Sequence, residues 1–508
     1  MTENRQRKTA ITPTRASDYA EWYQAVVTAA DVAEIAVVRG CMVIKPWGYG
    51  IWELIQAKLD RWIKETGHQN AYFPLFIPLS FLEREAKHVT GFAKECAVVT
   101  HHRLEEKDGK LIPAAPLEEP LIVRPTSETI IGDAFSRWIH SWRDLPLLIN
   151  QWANIVRWEM RTRIFLRTTE FLWQEGHTAH ATESEAKEHT LKMLHVYERL
   201  ATEALALPVI LGEKSPGERF PGAENTYTIE ALMQDCKALQ GGTSHYLGQN
   251  FSKAFNIRFN TQEEQLEYVY TTSFGSSTRL VGAVIMAHGD DDGLRLPPVV
   301  SPYQVVIIPV LAKPERNAEV IECATRLKKQ LQEKTFDGTP LRVHVDMRDI
   351  RGGDKNWEWI KKGVPLRIEI GPRDVDSASC VVMRRDRAPQ EKSSYTINEL
   401  ETKISSLLEE IQRTYYEEAL AFRKQHTHTN ITTFQELKAF FTPKNEEKPE
   451  IHGGLVLAKW CGDETTEKML DELKVSIRCL PLEQSHTTGK CVLTGKPATL
   501  DALFAKSY

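Results

Sequence analysis

Arg157-Trp158-Glu159, then Met160 to Leu166 with Arg161 and Arg163 among them, then Arg167-Thr168-Thr169-Glu170-Phe171-Leu172-Trp173-Gln174-Glu175-Gly176-His177: this stretch decides how the chain is read. It predicts two strands joined by a basic loop. Side chains alternate along a strand, so Arg157 and Glu159 share one face, and Phe171, Trp173, Glu175 and His177 share another. A cation, two carboxylates and stacking rings converge. That set suits a nucleoside phosphate, with guanidinium for the phosphate, carboxylate for a base amino group and a ring for stacking. It equally suits an exposed hairpin with alternating charges over a buried aromatic face, and the stretch alone leaves both open.

Just upstream, Leu121-Ile122-Val123-Arg124-Pro125-Thr126-Ser127-Glu128-Thr129 passes from strand to helix, and Ile130, Ile131, Ala134, Phe135, Trp138 and Ile139 supply the apolar helical face. Thr126 or Ser127 is placed as an N-cap and Glu128 in the first turn, as an ordinary helix start prefers. A ligand site is the other reading. Downstream, residues 183–205 predict a long surface helix, and residues 212–222 a Gly/Pro-punctuated loop carrying Phe220. Gln240-Gly241-Gly242-Thr243-Ser244-His245 reads either as a tight turn or as a close backbone approach to a ligand. Residues 266–273 alternate as a strand. Then Phe274-Gly275-Ser276-Ser277-Thr278-Arg279 leads into the apolar run 280–287. An arginine opening such a helix needs an anionic partner, a bound phosphate or a buried carboxylate.

Farther out, residues 1–18 are polar and expected to fray, and residues 19–36 predict a helix. Residues 40–46 are strand-like, and Ile51, Leu54, Ile55, Leu59 and Trp62 have helical spacing. Residues 71–78 predict a proline-bracketed strand, which belongs at an edge or an interface. From residue 301 strands and helices alternate: strand 305–310, helix 319–334, strand 341–345, helix 356–362, strands 366–370 and 379–384. That pattern is a small α/β domain. Residues 301–400 carry a net +3, against −8 elsewhere, which suits contact with nucleic acid or simply a solvated basic face. Leu400, Ile404, Leu407, Leu408, Ile411, Tyr415 and Phe422 mark a long amphipathic helix, and Thr433-Phe434-Gln435-Glu436 a capping box.

The chain of 508 residues, 42% hydrophobic and 26% charged, is ordinary for a soluble globular protein of several domains. A net charge of −5 argues against a polyanion binder that works by bulk charge. The polar start and the lack of any membrane-length apolar run predict a cytoplasmic protein with no membrane contact, and eight scattered cysteines fit reduced thiols.

Three stretches in order now resemble the class II aminoacyl-tRNA synthetases: the edge strand ending at Pro74-Leu75-Phe76 is similar to motif 1, residues 157–171 to motif 2, and Arg279 with its apolar helix to motif 3. Arg124-Pro125-Thr126-Ser127-Glu128-Thr129, Phe171-Leu172-Trp173-Gln174-Glu175-Gly176-His177 and Gly242-Thr243-Ser244-His245 resemble prolyl-tRNA synthetase of the archaeal and eukaryotic type, as does the ending Ser507-Tyr508. The resemblance implies an α+β catalytic domain with an antiparallel sheet over 19–298, an α/β anticodon-binding domain over 299–400, and a linker helix with a small α+β C-terminal domain over 401–508. The molecule would be a homodimer through motif 1, acting on L-proline, ATP with Mg²⁺, and tRNA(Pro).

The resemblance also assigns roles. Arg157 would hold the α-phosphate and the proline carboxylate, Glu159, Arg167 and Thr168 would position ATP, Phe171 would stack on adenine, and Arg279 would clamp the γ-phosphate. Gln240, Thr243 and Ser277 would join the ATP site. Thr126 and Glu128 would bind the proline ammonium, with Trp173, Phe220 and His245 around the ring. Asp349, Arg351, Glu358, Lys361 and Glu369 fall where relatives contact the anticodon, and surface salt bridges are the alternative for each. Only about a hundred residues separate Glu175 from Gly275, so no editing insertion is expected. Many relatives bind zinc through four cysteines near the Cys461 and Cys491 positions. Here neither has a second cysteine beside it, so zinc is expected to be absent and packing around Trp460 and Leu493 to replace it.

Overall fold

The computed structural model describes residues 9–85, 96–311, 313–445 and 451–508. Strands Leu147–Val156 and Glu170–His180 pair antiparallel, from Leu147 opposite Ala179 to Val156 opposite Glu170. The first strand ends at Val156, so Arg157, Trp158 and Glu159 lie in the connection rather than on a strand face. The cause is local: the Arg157 amide bonds the Thr169 carbonyl (2.8 Å), while the Arg157 guanidinium turns back to the Pro125 carbonyl (2.9 Å).

The hairpin belongs to a sheet that runs Val209–Glu213, Asn225–Leu232, Ala238–Gly248, Tyr270–Ser277, Glu170–His180, Leu147–Val156 with antiparallel neighbours, and Gln69–Asn70 pairs parallel with Leu147–Val156 at the edge. Residues 240–245 therefore lie inside a strand and form no turn. An irregularity opposite Ile229 and Glu230 leaves Gly241 without a register partner. A Cβ on Gly241 would meet Ile229, and one on Gly242 would meet Tyr197, each at 3.1 Å, so the absence of side chains lets these neighbours pack close to the strand.

Helices Pro46–Glu65, Glu183–Arg199 and Arg279–His288 contribute Ile51, Leu59, Met193, Leu194, Val281 and Ile285 to one buried cluster. The first helix, Tyr19–Ala29, ends short of the expected 36 because Asp31 turns left-handed (φ 58°) and Ala33–Ile35 pairs with Met42–Ile44. Of the segment 1–18 expected to fray, residues 1–8 lie outside the described residues and 9–18 are anchored. Ile11 is buried, its amide bonds the Asp291 carbonyl (2.9 Å), and Asp18 caps the helix. The expected strand 71–78 shrinks to Phe76–Pro78, on a separate sheet with Lys110–Val123 and Val98–Lys107.

The α/β region forms as expected. Its sheet runs Val343–Val345, Val305–Pro309, Leu366–Ile370, Ser379–Arg384, Ser393–Thr396, the first three strands parallel. The amphipathic helix Ile397–Gln425 follows. One feature lies beyond any local pattern: Ser476–Pro481 of the C-terminal region pairs with Val209–Glu213, through Leu480 opposite Glu213, so both regions share one sheet. No helix among the described residues is long and apolar enough to cross a membrane.

Candidate active site

A cavity of ≈ 270 Å³ opens over the sheet, where the hairpin meets the starts of helices Glu128–Trp138 and Arg279–His288. Its wall brings together Thr126, Glu128, Arg157, Phe171, Trp173, Phe220, Gln240, Thr243, His245, Ser277 and Arg279. Three expected members stay off it. Glu159 pairs with the exposed Arg167 (2.6 Å), and the Thr168 hydroxyl donates to the Glu170 carbonyl (2.7 Å).

At one end, the helix-start hydroxyls do not cap. Ser127 Oγ donates to Glu175 Oε1 (2.5 Å), and Thr126 Oγ1 donates to Glu128. Glu175 further accepts from Gln151 (2.8 Å) and His177 (2.9 Å). Burial alone would lower the His177 pKa, but the bond and charge of Glu175 outweigh it and raise it, and the same pairing outweighs burial to lower Glu175. They form a buried ion pair beneath the cavity. His245 is the opposite case. Burial first, then the charges of His177 and Arg157, push it down to about 3. It is a neutral ring, held by Thr226 (3.0 Å) and Thr243 (3.1 Å) against Phe220, ring centroids 4.6 Å apart.

In the middle, the Arg157 guanidinium sits 5.7 Å from the Phe171 ring centroid and 5.4 Å from that of Trp173. The Trp173 indole N–H is buried without a hydrogen-bond partner among the described residues, a donor that suits a bound acceptor. At the far end, Arg279 donates to the Leu166 carbonyl (3.1 Å) and forms no ion pair among the described residues. Burial, then Arg157 and Arg478, hold its pKa down to about 10, so it is still a cation at neutral pH. Of the two partners open to it, the buried carboxylate is therefore excluded within hydrogen-bonding reach. An oxyanion with several charges fits the remainder.

The family profile described as "tRNA synthetase class II core domain (G, H, P, S and T)" matches residues 111–288. "Anticodon binding domain" matches 304–407, and "Prolyl-tRNA synthetase, C-terminal" matches 445–508. A proline--tRNA ligase of Protochlamydia amoebophila is 68% identical over 99% of both chains, and proline--tRNA ligase 2 of Anaeromyxobacter dehalogenans 58% identical over 99% of both. The chain belongs to the proline--tRNA ligase family. These relatives are bacterial, which gives no support to the archaeal and eukaryotic type expected from the motifs. Between the hairpin and Arg279, this ligase-family core holds the sheet strands and helix Glu183–Arg199 that build the site, the short helix Asn250–Ala254 and a two-stranded sheet, Arg258–Asn260 with Leu266–Tyr268, with no inserted domain.

Sequence reasoning missed Lys214, Glu218 and Thr226 on the wall. Thr226 and Lys214 flank the Phe220 loop, and no local pattern singled out either. In the α/β domain, Glu358 pairs with Arg348 (2.5 Å) and Glu369 with Lys392 (2.8 Å), the salt-bridge alternative for both, while Asp349 and Arg351 are exposed ahead of helix Gly352–Lys361.

Proposed function

We propose that the cavity activates L-proline with ATP and that the activated proline passes to the 3′ end of tRNA(Pro). One observation carries this: the carboxylate of Glu128 and the enclosed aromatic wall of Phe220, Trp173 and His245 share a cavity with Arg157, Phe171 and Arg279. Proline presents a secondary ammonium and an apolar ring, which that carboxylate and those rings match. Its carboxylate is ionised at neutral pH and needs no general base. It attacks the α-phosphorus of ATP, and pyrophosphate leaves with the bonding electron pair.

Arg157 lies between the two ends, and stabilises charge gathering on the α-phosphate oxygens. Phe171 stacks on adenine, with Glu159, Arg167 and Thr168 closing over ATP from the loop, and Arg279, Gln240, Thr243 and Ser277 hold the polyphosphate side. Neutral His245 shapes the pocket without adding charge beside the ammonium. For Mg²⁺, the donors facing this side are Glu218 and Gln240, oxygen ligands that fit an ion carried chiefly by phosphate and water. Held there, Mg²⁺ would supply neutralisation of phosphate charge. A ribose hydroxyl of the terminal adenosine then displaces AMP.

Several finer readings go with this. The exposed Tyr72 and Phe76 around residues 72–76 support a homodimer through that segment. Asp349, Arg351 and Lys361 are the anticodon-side candidates least committed to ion pairs, domain boundaries fall near 298 and 400, and eight free thiols suit the cytoplasm. A pocket for proline admits smaller alanine, so clearance of mischarged tRNA acts in trans. Cys461 and Cys491 offer two soft donors where a closed zinc site takes four, and Trp460, Val492 and Leu493 pack in one cluster there, so the region folds without zinc. Stoichiometric zinc by elemental analysis would overturn that.

The test is proline-dependent ATP–pyrophosphate exchange followed by charging of tRNA(Pro). Both activities are expected. Exchange without charging would favour a relative that adenylates a small amino acid for another acceptor, a reading that the anticodon-domain match over 304–407 disfavours.

A further inference from the structure

Beside the polyphosphate wall lies a second cavity of ≈ 390 Å³, which shares Glu218, Gln240 and Arg279 with the first and is also lined by Lys474, Arg478 and Tyr508. Lys474 and Arg478 come from the C-terminal region, carried here by the strand Ser476–Pro481 that joins Val209–Glu213. Under this annex, buried Glu230 accepts from Lys214 (2.8 Å) and from both Nε and Nη2 of Arg478 (3.1 Å each). One carboxylate between two cations leaves one positive charge over, where water hardly reaches. Arg279 and exposed Lys474 add two more, against the Glu218 side chain and the main-chain carboxylate of Tyr508 on the annex wall, which leaves an excess of positive charge. The pKa of Arg279 is depressed by burial first, then by Arg157 and Arg478, and Glu230 offsets this only in part, so the cations here outnumber the carboxylate between them.

We propose that this annex receives the pyrophosphate released on adenylate formation, so that the C-terminal region takes part in amino-acid activation through Lys474 and Arg478. The proposal rests on the reading above. When the proline carboxylate oxygen bonds the α-phosphorus, the bond from that phosphorus to the α,β-bridging oxygen breaks, and the electron pair leaves on pyrophosphate. That multiply charged leaving group lies on the Arg279 side, and the annex is the adjoining space lined by further cations.

Full-length protein in the exchange assay, with pyrophosphate varied, tests this. Lys474 has left-handed backbone (φ 53°), which asparagine tolerates, so Lys474→Asn removes the charge and keeps the fold. The KM for pyrophosphate is expected to rise ~5-fold, as for loss of one partly exposed charge-assisted contact, with the KM for proline unchanged. Arg478→Gln is expected to raise it further and Arg478→Lys less. Should Arg478→Gln fail to fold, Lys474→Asn still decides. An unchanged pyrophosphate KM in Lys474→Asn overturns the proposal, as does a rise confined to the KM for tRNA. Absence of any exchange in the unaltered protein would instead overturn the proline-activation reading itself.

Discussion

Two kinds of helix start occur in this protein. Away from the cavity, helices Glu183–Arg199, Ile397–Gln425 and Phe434–Phe441 each begin with a capping box, from Thr182 with Glu185, Thr396 with Glu399, and Thr433 with Glu436. At the cavity, helices Glu128–Trp138 and Arg279–His288 have no side-chain cap, although Ser127 and Thr278 stand in the capping positions. Ser127 is spent on Glu175, and the Thr278 hydroxyl is buried without a partner among the described residues. These capped starts are built for stability, while helices Pro46–Glu65, Asn317–Gln332 and Gly352–Lys361, also away from the cavity, begin without a side-chain cap. The cavity starts give up that contribution and place Glu128 and Arg279 on the cavity wall. Arg279 goes further, since a cation in the first turn opposes the helix dipole, which a carboxylate such as Glu128 does not.

The sharpest way to break this contrast is Arg279→Gln. Proline-dependent exchange is expected to fall by ~10²–10³, the scale for removing a charge that stabilises the transition state. The urea midpoint is expected to rise, because a buried cation without a carboxylate partner disappears from a helix N-terminus. A midpoint that falls along with activity would make Arg279 an ordinary structural residue.

Next in size is the anionic start. Glu128→Gln keeps shape and loses charge, and is expected to raise the KM for proline by ~10²-fold, in line with a lost charge-assisted bond of about 2–3 kcal/mol, with the KM for ATP little changed. Equal effects on both substrates would detach Glu128 from the ammonium.

How much of this was legible from residues alone follows the range of each interaction. The hairpin, the apolar face behind Arg279 and the Thr433 box depend on neighbours within a few positions, so their patterns were readable. Thr126-Ser127-Glu128 was readable only as a capping signal, because the partner that diverts Ser127 is Glu175, 48 positions later. The triad Lys214, Glu230 and Arg478 joins residues 248 positions apart and depends on a strand pairing that no local pattern specifies. Ile11 was lost in a polar segment for the same reason: its anchor, Asp291, is near the far end of the domain.

The contrast continues through the sheet itself. On the cavity face of strand Glu170–His180, His177 has a carboxylate. On the other face, His180 joins His68 and His189, ring centroids 5.0 and 5.1 Å from the His189 ring, with no carboxylate in the set. Burial lowers all three, to about 4, 4 and 2 for His68, His180 and His189, with mutual repulsion adding to it for His68 and His189. A histidine held neutral in the fold contributes stability above its unfolded value of about 6.5 and loses it as pH falls toward the folded value. Denaturant midpoints are therefore expected to drop between pH 6.5 and 4.5, by about 2 kcal/mol per such histidine at pH 5. His189→Gln is expected to flatten that slope. His177 runs the other way: its raised pKa makes its contribution full below 6.5 and lost as pH rises through the folded value. An acid slope unchanged in His189→Gln would place the sensitivity elsewhere.

The smallest expected effect tests the remote side of the comparison. Thr433 accepts from the Glu436 amide (3.3 Å) while Glu436 bonds back to the Thr433 amide (3.0 Å), at the start of an eight-residue helix whose Leu437 and Phe441 are buried in the C-terminal cluster. Thr433→Ala removes half of that exchange and is expected to cost about 1 kcal/mol, read as a lower urea midpoint. Exchange and charging at a temperature where the protein is fully folded are expected to stay at the level of the unaltered chain, since nothing at this start faces a cavity. Ser127→Ala is its counterpart: no cap is lost, but Glu175 loses one of the donors that set its pairing with His177, so activity rather than the midpoint should move. If the two variants behaved alike, the division between helix starts that hold the fold and helix starts that serve the site would fail at its weakest point.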